Sequence, residues 1–160
     1  MNLESQPINR LSGEVICPGD KSISQRILII GSFLNCDIQI SGFLDAEDPN
    51  STMMALNNLG SLIEKDNDGV LIKRRSKPFS KPGSFLNLGN SGTGMRLLTG
   101  FISGLNLEAT LIGDESLSKR PMSRVVNPLT AMGKEISTNS GKAPIPVSYT
   151  HLTLPTSNGV

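Results

Sequence analysis

The 160-residue sequence has no Trp, one Tyr and one His, and aromatic residues make up only 4% of it. So few rings argue against the stacking platforms that hold single-stranded nucleic acid. The lone His151 gives no basis for a metal centre or a catalytic triad. Only two thiols are present, Cys17 and Cys36, with neither a C-x-x-C pair nor a secreted disulfide framework. Both are expected to be reduced core residues. Long apolar runs are missing too: the longest, Ile27 to Ile30, falls far short of the roughly 20 residues that cross a bilayer. Residues 1–20 carry Glu4, Arg10, Glu14 and Asp20 where an export leader would need an apolar stretch. The expected location is cytoplasmic, with no membrane partner.

Net charge is also small, at +1, but the total conceals a split. Residues 1–70 hold four Lys/Arg against ten Asp/Glu, and residues 71–160 hold eleven against four. A basic half of this kind suits a small phosphorylated ligand better than a nucleic acid when aromatics are scarce.

Hydrophobic spacing supplies the elements. Apolar residues at 23, 27, 30 and 34 follow the Pro18-Gly19 turn, so a helix is expected from near Ser22. Asp37 to Ser41 alternates like a strand, and a second helix is expected from about Asp48 to the stop at Gly60. Strands near 61–65 and 69–73 face each other across Asn67-Asp68-Gly69, a strong hairpin signal.

The order then recurs at an offset of 70 to 73 residues. Arg26-Ile27-Leu28 matches Arg96-Leu97-Leu98, Gly42 matches Gly113, and Leu59-Gly60 with Ile63 matches Met132-Gly133 with Ile136. Short strands at Gly13–Cys17 and Ser84–Leu88 lead the copies, which makes the unit β-α-β-α-β-β and the fold class α+β. Units of about 70 residues are expected to pack helix against helix around a shared core. Two copies leave that core open, so exposed apolar surface is expected.

Three turns into helix starts carry cations. In Pro18-Gly19-Asp20-Lys21-Ser22-Ile23-Ser24-Gln25-Arg26, Lys21 stands at the mouth, and Ser22 and Arg26 share a face one turn up. A capped helix with solvated cations would need the same residues. Leu88-Gly89-Asn90-Ser91-Gly92-Thr93-Gly94-Met95-Arg96 places three glycines before a helix, a nest of N–H donors or simply a tight turn. It is no Walker loop, because Met95 and Arg96 stand where Lys and Ser/Thr would be required. In Gly113 to Arg124, Pro121 is expected at the first position of a helix, presenting Arg120 with Arg124 one turn on. Pro128 is expected to kink that helix.

These motifs, together with Leu44 to Asp48, Thr52-Met53-Met54-Ala55-Leu56 and Lys119-Arg120-Pro121-Met122, resemble the N-terminal part of the 5-enolpyruvylshikimate-3-phosphate synthase family in order through about residues 8–146. The resemblance implies an inside-out α/β fold of two lobes, each of three β-α-β-α-β-β units. Residues 1–17 would be a strand segment of the other lobe. Residues 18–147 would form an incomplete substrate-binding lobe, with units at about 18–82 and 83–147 and the third unit missing. The activity implied is transfer of the enolpyruvyl group of phosphoenolpyruvate to the 5-hydroxyl of shikimate 3-phosphate, releasing phosphate, without cofactor or metal. Lys21, Ser22 and Arg26 would bind shikimate 3-phosphate. Lys21, Asn90, Gly92, Thr93 and Arg120 would bind phosphoenolpyruvate, with Lys21 catalytic. Glyphosate would compete there, and the intact enzyme would be a monomer.

Gln25 stands where many members have His or Asn, and Leu97 where one subgroup has Pro. Family chains are more than twice this length and keep further ligands and their proton-transfer acids in the part not present here, so the chain alone is expected to be inactive. Residues 148–160 leave the family pattern and resemble translated adaptor sequence. Three alternatives remain: the related UDP-N-acetylglucosamine enolpyruvyl transferases, which carry Lys-Asn where this chain has Lys21-Ser22, a non-catalytic phosphate-binding module, and a nucleic-acid-binding module prompted by Lys73-Arg74-Arg75-Ser76-Lys77. That basic run is expected to be a solvated face instead.

Overall fold

The structure is a computed structural model that describes residues 3–7, 9–10 and 12–148. Its first unit comprises α1 (Lys21–Phe33), β1 (Ile38–Ile40), α2 (Glu47–Asn58), β2 (Leu62–Asp66) and β3 (Gly69–Lys73). Its second comprises β4 (Leu86–Asn87), α3 (Gly92–Leu105), β5 (Ala109–Ile112), α4 (Glu115–Ser118), α5 (Ser123–Ala131) and β6 (Ile145–Val147).

Local chemistry sets most of the boundaries. The Asp20 carboxylate accepts from Ile23 N at 2.7 Å and caps α1, satisfying one of the amides that a helix start leaves unpaired. Gly60, at φ +100°, ends the run after α2 in a conformation that side chains resist. The expected hairpin forms with Asp66 opposite Gly69 and Ile63 opposite Ile72.

The repeat is visible in the pairing. The first sheet has the order β1-β3-β2, entirely antiparallel. In the second, β5 pairs antiparallel with β6, and Ile136 bridges to Val147 of β6, so β5, β6 and Ile136 repeat the arrangement of β1, β3 and β2. The second hairpin is reduced to the bridges Ile136–Val147 and Asn139–Lys142. A further strand, β4, lies parallel to β5.

Among the described residues no strand matches β4 in the first unit: Gly13–Cys17 does not form the expected strand, and residues 12–18 run exposed without a ladder partner. An extended segment without a neighbouring strand leaves its backbone to water, so alternation alone could not make it a strand. Cys17 lies in this stretch and Cys36 in the loop after α1. Both are exposed, which corrects the expectation of core thiols.

The core joins both units through Leu28, Leu56, Leu59, Ile72, Leu86, Leu88, Met95, Leu98, Ile102, Leu111 and Leu117. Lys134 is buried among the described residues, donating to Asn106 Oδ1 at 3.4 Å, and burial holds its ammonium below the ordinary lysine pKa. The expected uncovered surface is present on α1. Ile23, Ile30, Phe33 and Leu34 are exposed, and a groove of about 380 Å³ runs between α1 and α3 along Ile29, Ile30, Phe33, Phe101 and Leu105. No helix among the described residues is long and apolar enough to cross a membrane.

Gly19 lets the turn before α1 pass directly over the backbone of residues 42–44. A Cβ there would press on Gly42 O and lie 2.8 Å from Leu44 N, an amide already held by Ser24 Oγ at 3.0 Å. Gly19→Ala should therefore cost about 1–3 kcal/mol of stability by overpacking. Urea unfolding tests this: a lower midpoint at unchanged slope is expected, and an unchanged midpoint would contradict the close approach.

Candidate functional site

Helix α1 brings the first cationic group to its mouth. Lys21 Nζ pairs with Asp48 Oδ2 at 2.9 Å, with the lysine side chain about half exposed, and Asp48 lies in the first turn of α2. Arg26 Nη1 donates to Ser22 O at 3.0 Å, so the guanidinium folds back along the first turn. Both cations are reachable from solvent at a helix end whose amide dipoles already favour an anion.

The second group forms where β4 turns into α3. Gly89, at φ +54°, makes the turn, and Ser91 caps the helix by accepting from Gly94 N at 3.1 Å. Thr93 follows, half-buried, in the first turn. Gly92 has two guanidiniums against it: a Cβ there would lie 3.0 Å from Arg120 Nη1 and 3.2 Å from Arg96 Nη1. Arg96 donates to Gly92 O and to Pro121 O, each at 3.2 Å. Arg120 donates to Asn90 Oδ1, and Asn90 Nδ2 donates to Asp114 Oδ2 at 2.8 Å.

The third motif folds differently from its expectation. Asp114 caps a separate short helix, α4, by accepting from Leu117 N at 2.7 Å. Helix α5 starts only at Ser123, with Met122 as its cap. Arg120 and Pro121 therefore lie in the turn between two helices, and Pro121 does not open one. The Asp114-Glu115-Ser116-Leu117 pattern is a helix-start signal whose reading was obscured by the proline that follows. Pro128 is contained within α5, which continues to Ala131, and Arg124 is exposed on that helix.

One side chain joins the two groups. Gln25 is fully buried on α1, and its Nε2 donates to Ser91 Oγ at 2.7 Å and to Thr52 Oγ1 at 3.0 Å, with Asp48 O at 3.3 Å. Thr52 in turn donates to Asp48 O at 3.1 Å. The starts of α1 and α3 and the first turns of α2 thus meet at a single amide. Of the residues singled out from sequence, Lys21, Ser22 and Arg26 stand on one side of this junction, and Asn90, Gly92, Thr93 and Arg120 on the other. Gln25 registered in the sequence only as a substitution, and Asp48, Thr52 and Asp114 carried no assigned role. The i, i+4 spacing of Asp48 and Thr52 was the available signal.

Acidic partners restrain the cations. The Asp114 carboxyl is held below its ordinary pKa by the Leu117 amide and then by Asn90, with Arg120 contributing its charge. The basic run at 73–77 is the solvated face expected at Lys73, Arg74, Ser76 and Lys77, which are exposed, and only Arg75 is half-buried. Arg75 lies 3.6 Å above the Phe79 ring and donates to Ser32 O, while Arg74 donates to Asn35. Lys21 and Arg26 are exposed and Arg120 is half-buried. A groove of about 690 Å³ lies elsewhere, between Lys81, Phe85, Glu108 and Ser148.

The family model for EPSP synthase (3-phosphoshikimate 1-carboxyvinyltransferase) matches residues 5–156. A 3-phosphoshikimate 1-carboxyvinyltransferase of Ruthia magnifica subsp. Calyptogena magnifica is 48% identical over 143 residues, covering 89% of this chain and 33% of that protein. The enzyme of the same name from Legionella pneumophila (strain Lens) is 43% identical over 147 residues, covering 91% and 34%. Among solved structures, an EPSP synthase from Acinetobacter baumannii superposes with a TM-score of 0.77 at 36% identity, covering 85% of this chain and 32% of that one. The chain spans about a third of the length of the curated relatives it matches.

Thr52→Val removes the hydroxyl that Gln25 and the Asp48 carbonyl share, leaving the Gln25 amide without one acceptor and the Asp48 carbonyl without one donor. A loss of about 1–3 kcal/mol is expected, with Thr52→Ser close to wild type. Paired urea titrations would read this; equal losses for Val and Ser would show that the methyl group, not the hydroxyl, matters.

Proposed function

The chain belongs to the EPSP synthase family, and on that premise we propose that it supplies one substrate-binding portion of an enzyme that transfers the enolpyruvyl group of phosphoenolpyruvate to the 5-hydroxyl of shikimate 3-phosphate. The observation that carries this reading is the junction at Gln25, which brings two cationic helix starts together. Two anionic substrates that must react need two such sites side by side.

In this reading Lys21, Ser22 and Arg26 hold shikimate 3-phosphate at the start of α1. Asn90, Gly92, Thr93 and Arg120 hold phosphoenolpyruvate at the start of α3, and Lys21 reaches both. The bare backbone at Gly92 lets the Arg120 and Arg96 guanidiniums close on the same spot, where a planar fork grips a carboxylate or phosphate in two places. The reaction adds the 5-hydroxyl oxygen to C2 of phosphoenolpyruvate as the hydroxyl gives its proton to a base and the methylene carbon of phosphoenolpyruvate takes a proton from an acid. The C2–O bond to phosphate then breaks as a proton leaves the methyl group, restoring the double bond. Negative charge stays on carboxylate and phosphate throughout, and cations fixed beforehand stabilise it without reorganising.

The same geometry would admit glyphosate, another small anion, in place of phosphoenolpyruvate. Residues 149–160 lie outside the described residues, and with them nearly all of the segment read from sequence as foreign. The whole enzyme is proposed to be a cytoplasmic monomer, with residues 1–17 supplying a strand segment to its other lobe. Arg75 turns inward onto Phe79 and Ser32 O, which takes one cation out of the basic run and favours this small-anion reading over nucleic-acid binding.

Calorimetric titration of the chain with shikimate 3-phosphate tests the proposal. Lys21→Ala and Arg26→Ala should each weaken binding by about tenfold to a hundredfold, the worth of a charge-assisted hydrogen bond. Unchanged affinity in both variants would overturn the assignment. Phosphate release from the two substrates should be absent with this chain alone, because the relatives use a polypeptide three times as long.

A further inference from the structure

Asn90 can face its neighbours in only one way. A carboxylate only accepts hydrogen bonds and a guanidinium only donates them, so the amide must give its NH2 to Asp114 and its oxygen to Arg120. Asp114 is fixed in turn at three points. Its Oδ1 accepts from Leu117 N, its Oδ2 from Asn90, and its own N–H donates to Gly89 O at 2.9 Å. The carboxylate therefore anchors the glycine-rich turn, the start of α4 and, through Asn90, the guanidinium that lies against Gly92.

We propose that Asp114 is a positioning residue: through the Asn90 amide it holds Arg120 in the orientation that receives the anion at the start of α3. It need not touch that anion. The assignment rests on the functional reading above for the anion's identity, phosphoenolpyruvate, but the relay itself is a property of this chain.

Replacing Asp114 with Asn sets up a conflict that isolates the relay. An asparagine at 114 keeps an oxygen to cap Leu117 N, so α4 retains its start. Its other group is now an NH2 that faces the NH2 of Asn90. If Asn90 turns over to accept from it, the turned amide presents its NH2 to Arg120, donor against donor. One bond of the chain is lost in either arrangement.

The measurement is the rotation rate of the Arg120 guanidinium in the isotopically labelled chain, with exposed Arg124 as the internal reference for a free one. In Asp114→Asn, Arg120 should rotate as fast as Arg124. Phosphoenolpyruvate affinity should fall roughly tenfold, the size of one hydrogen bond, and shikimate 3-phosphate affinity should stay within about twofold. The exchange pair Asn90→Asp with Asp114→Asn restores the alternation of donor and acceptor and should slow Arg120 again. Arg120 staying restrained in Asp114→Asn, both ligands weakening equally, or the exchange pair failing to slow Arg120 would each overturn the proposal. A wild-type chain that binds neither ligand while Asp114→Asn still frees Arg120 would refute the functional reading and leave the relay standing.

Discussion

The buried amide of Gln25 is the constraint on which the site depends. Helices α1 and α3 belong to different repeats, and packing of apolar side chains alone would let them slide by fractions of an ångström at little cost. Hydrogen bonds from one amide to Ser91 and Thr52 remove that freedom, because a donor buried without its acceptor costs about as much as one or two methylenes placed wrongly. The distance between the two cationic mouths is thereby set inside the protein and not by the ligands. Gly94 shows how tight the junction is, since a Cβ there would lie within 3 Å of Ser91, Thr52 and Gln25 at once.

Electrostatics follows the same plan. Four cations near the helix starts are each tethered to a neighbour: Lys21 to Asp48, Arg26 to the Ser22 carbonyl, Arg96 to Gly92 and Pro121, Arg120 to Asn90. Tethering spends side-chain entropy at folding, so that less is left to lose when an anion arrives. It also explains how a chain of net charge +1 can present a concentrated cationic surface. Acidic residues back two of these cations: Asp48 pairs directly with Lys21, and Asp114 is linked to Arg120 through Asn90.

How much of this was readable beforehand depended on whether the signal was local. The start of α1, the hairpin and the order of elements were legible because their signals are local: Pro18-Gly19 before α1, Asn67-Asp68-Gly69 between two alternating runs, and Gly60 at the end of α2. The cationic residues were legible as well, since Gly and Pro mark the turns that carry them. What escaped was decided by contacts distant in sequence. Gln25 looked like a tolerated substitution because its partners are 27 and 66 positions away. Segment 13–17 has the pattern of a strand but no neighbour, Cys36 has an apolar side chain but sits in a loop, and Pro121 has the chemistry of a helix start in a turn that Asp114 had already claimed. Within the solvated run at 73–77, the stacking of Arg75 on Phe79 escaped for the same reason, because only the fold brings that ring beneath the guanidinium.

The uncovered stripe of Ile23, Ile30, Phe33 and Leu34 has a thermal consequence. Apolar surface exposed to water carries a large heat capacity, and covering it releases a free energy that is mostly entropic near room temperature and fades on cooling. Any surface that closes over α1 and α3 therefore holds them more loosely in the cold than in the warm. The hydrogen-bonded junction at Gln25 has no such dependence on apolar hydration. The two faces of α1 thus answer to different laws: the face that carries Gln25 keeps its register as temperature changes, while the apolar flank from Ile23 to Leu34 is gripped by a force that weakens toward freezing.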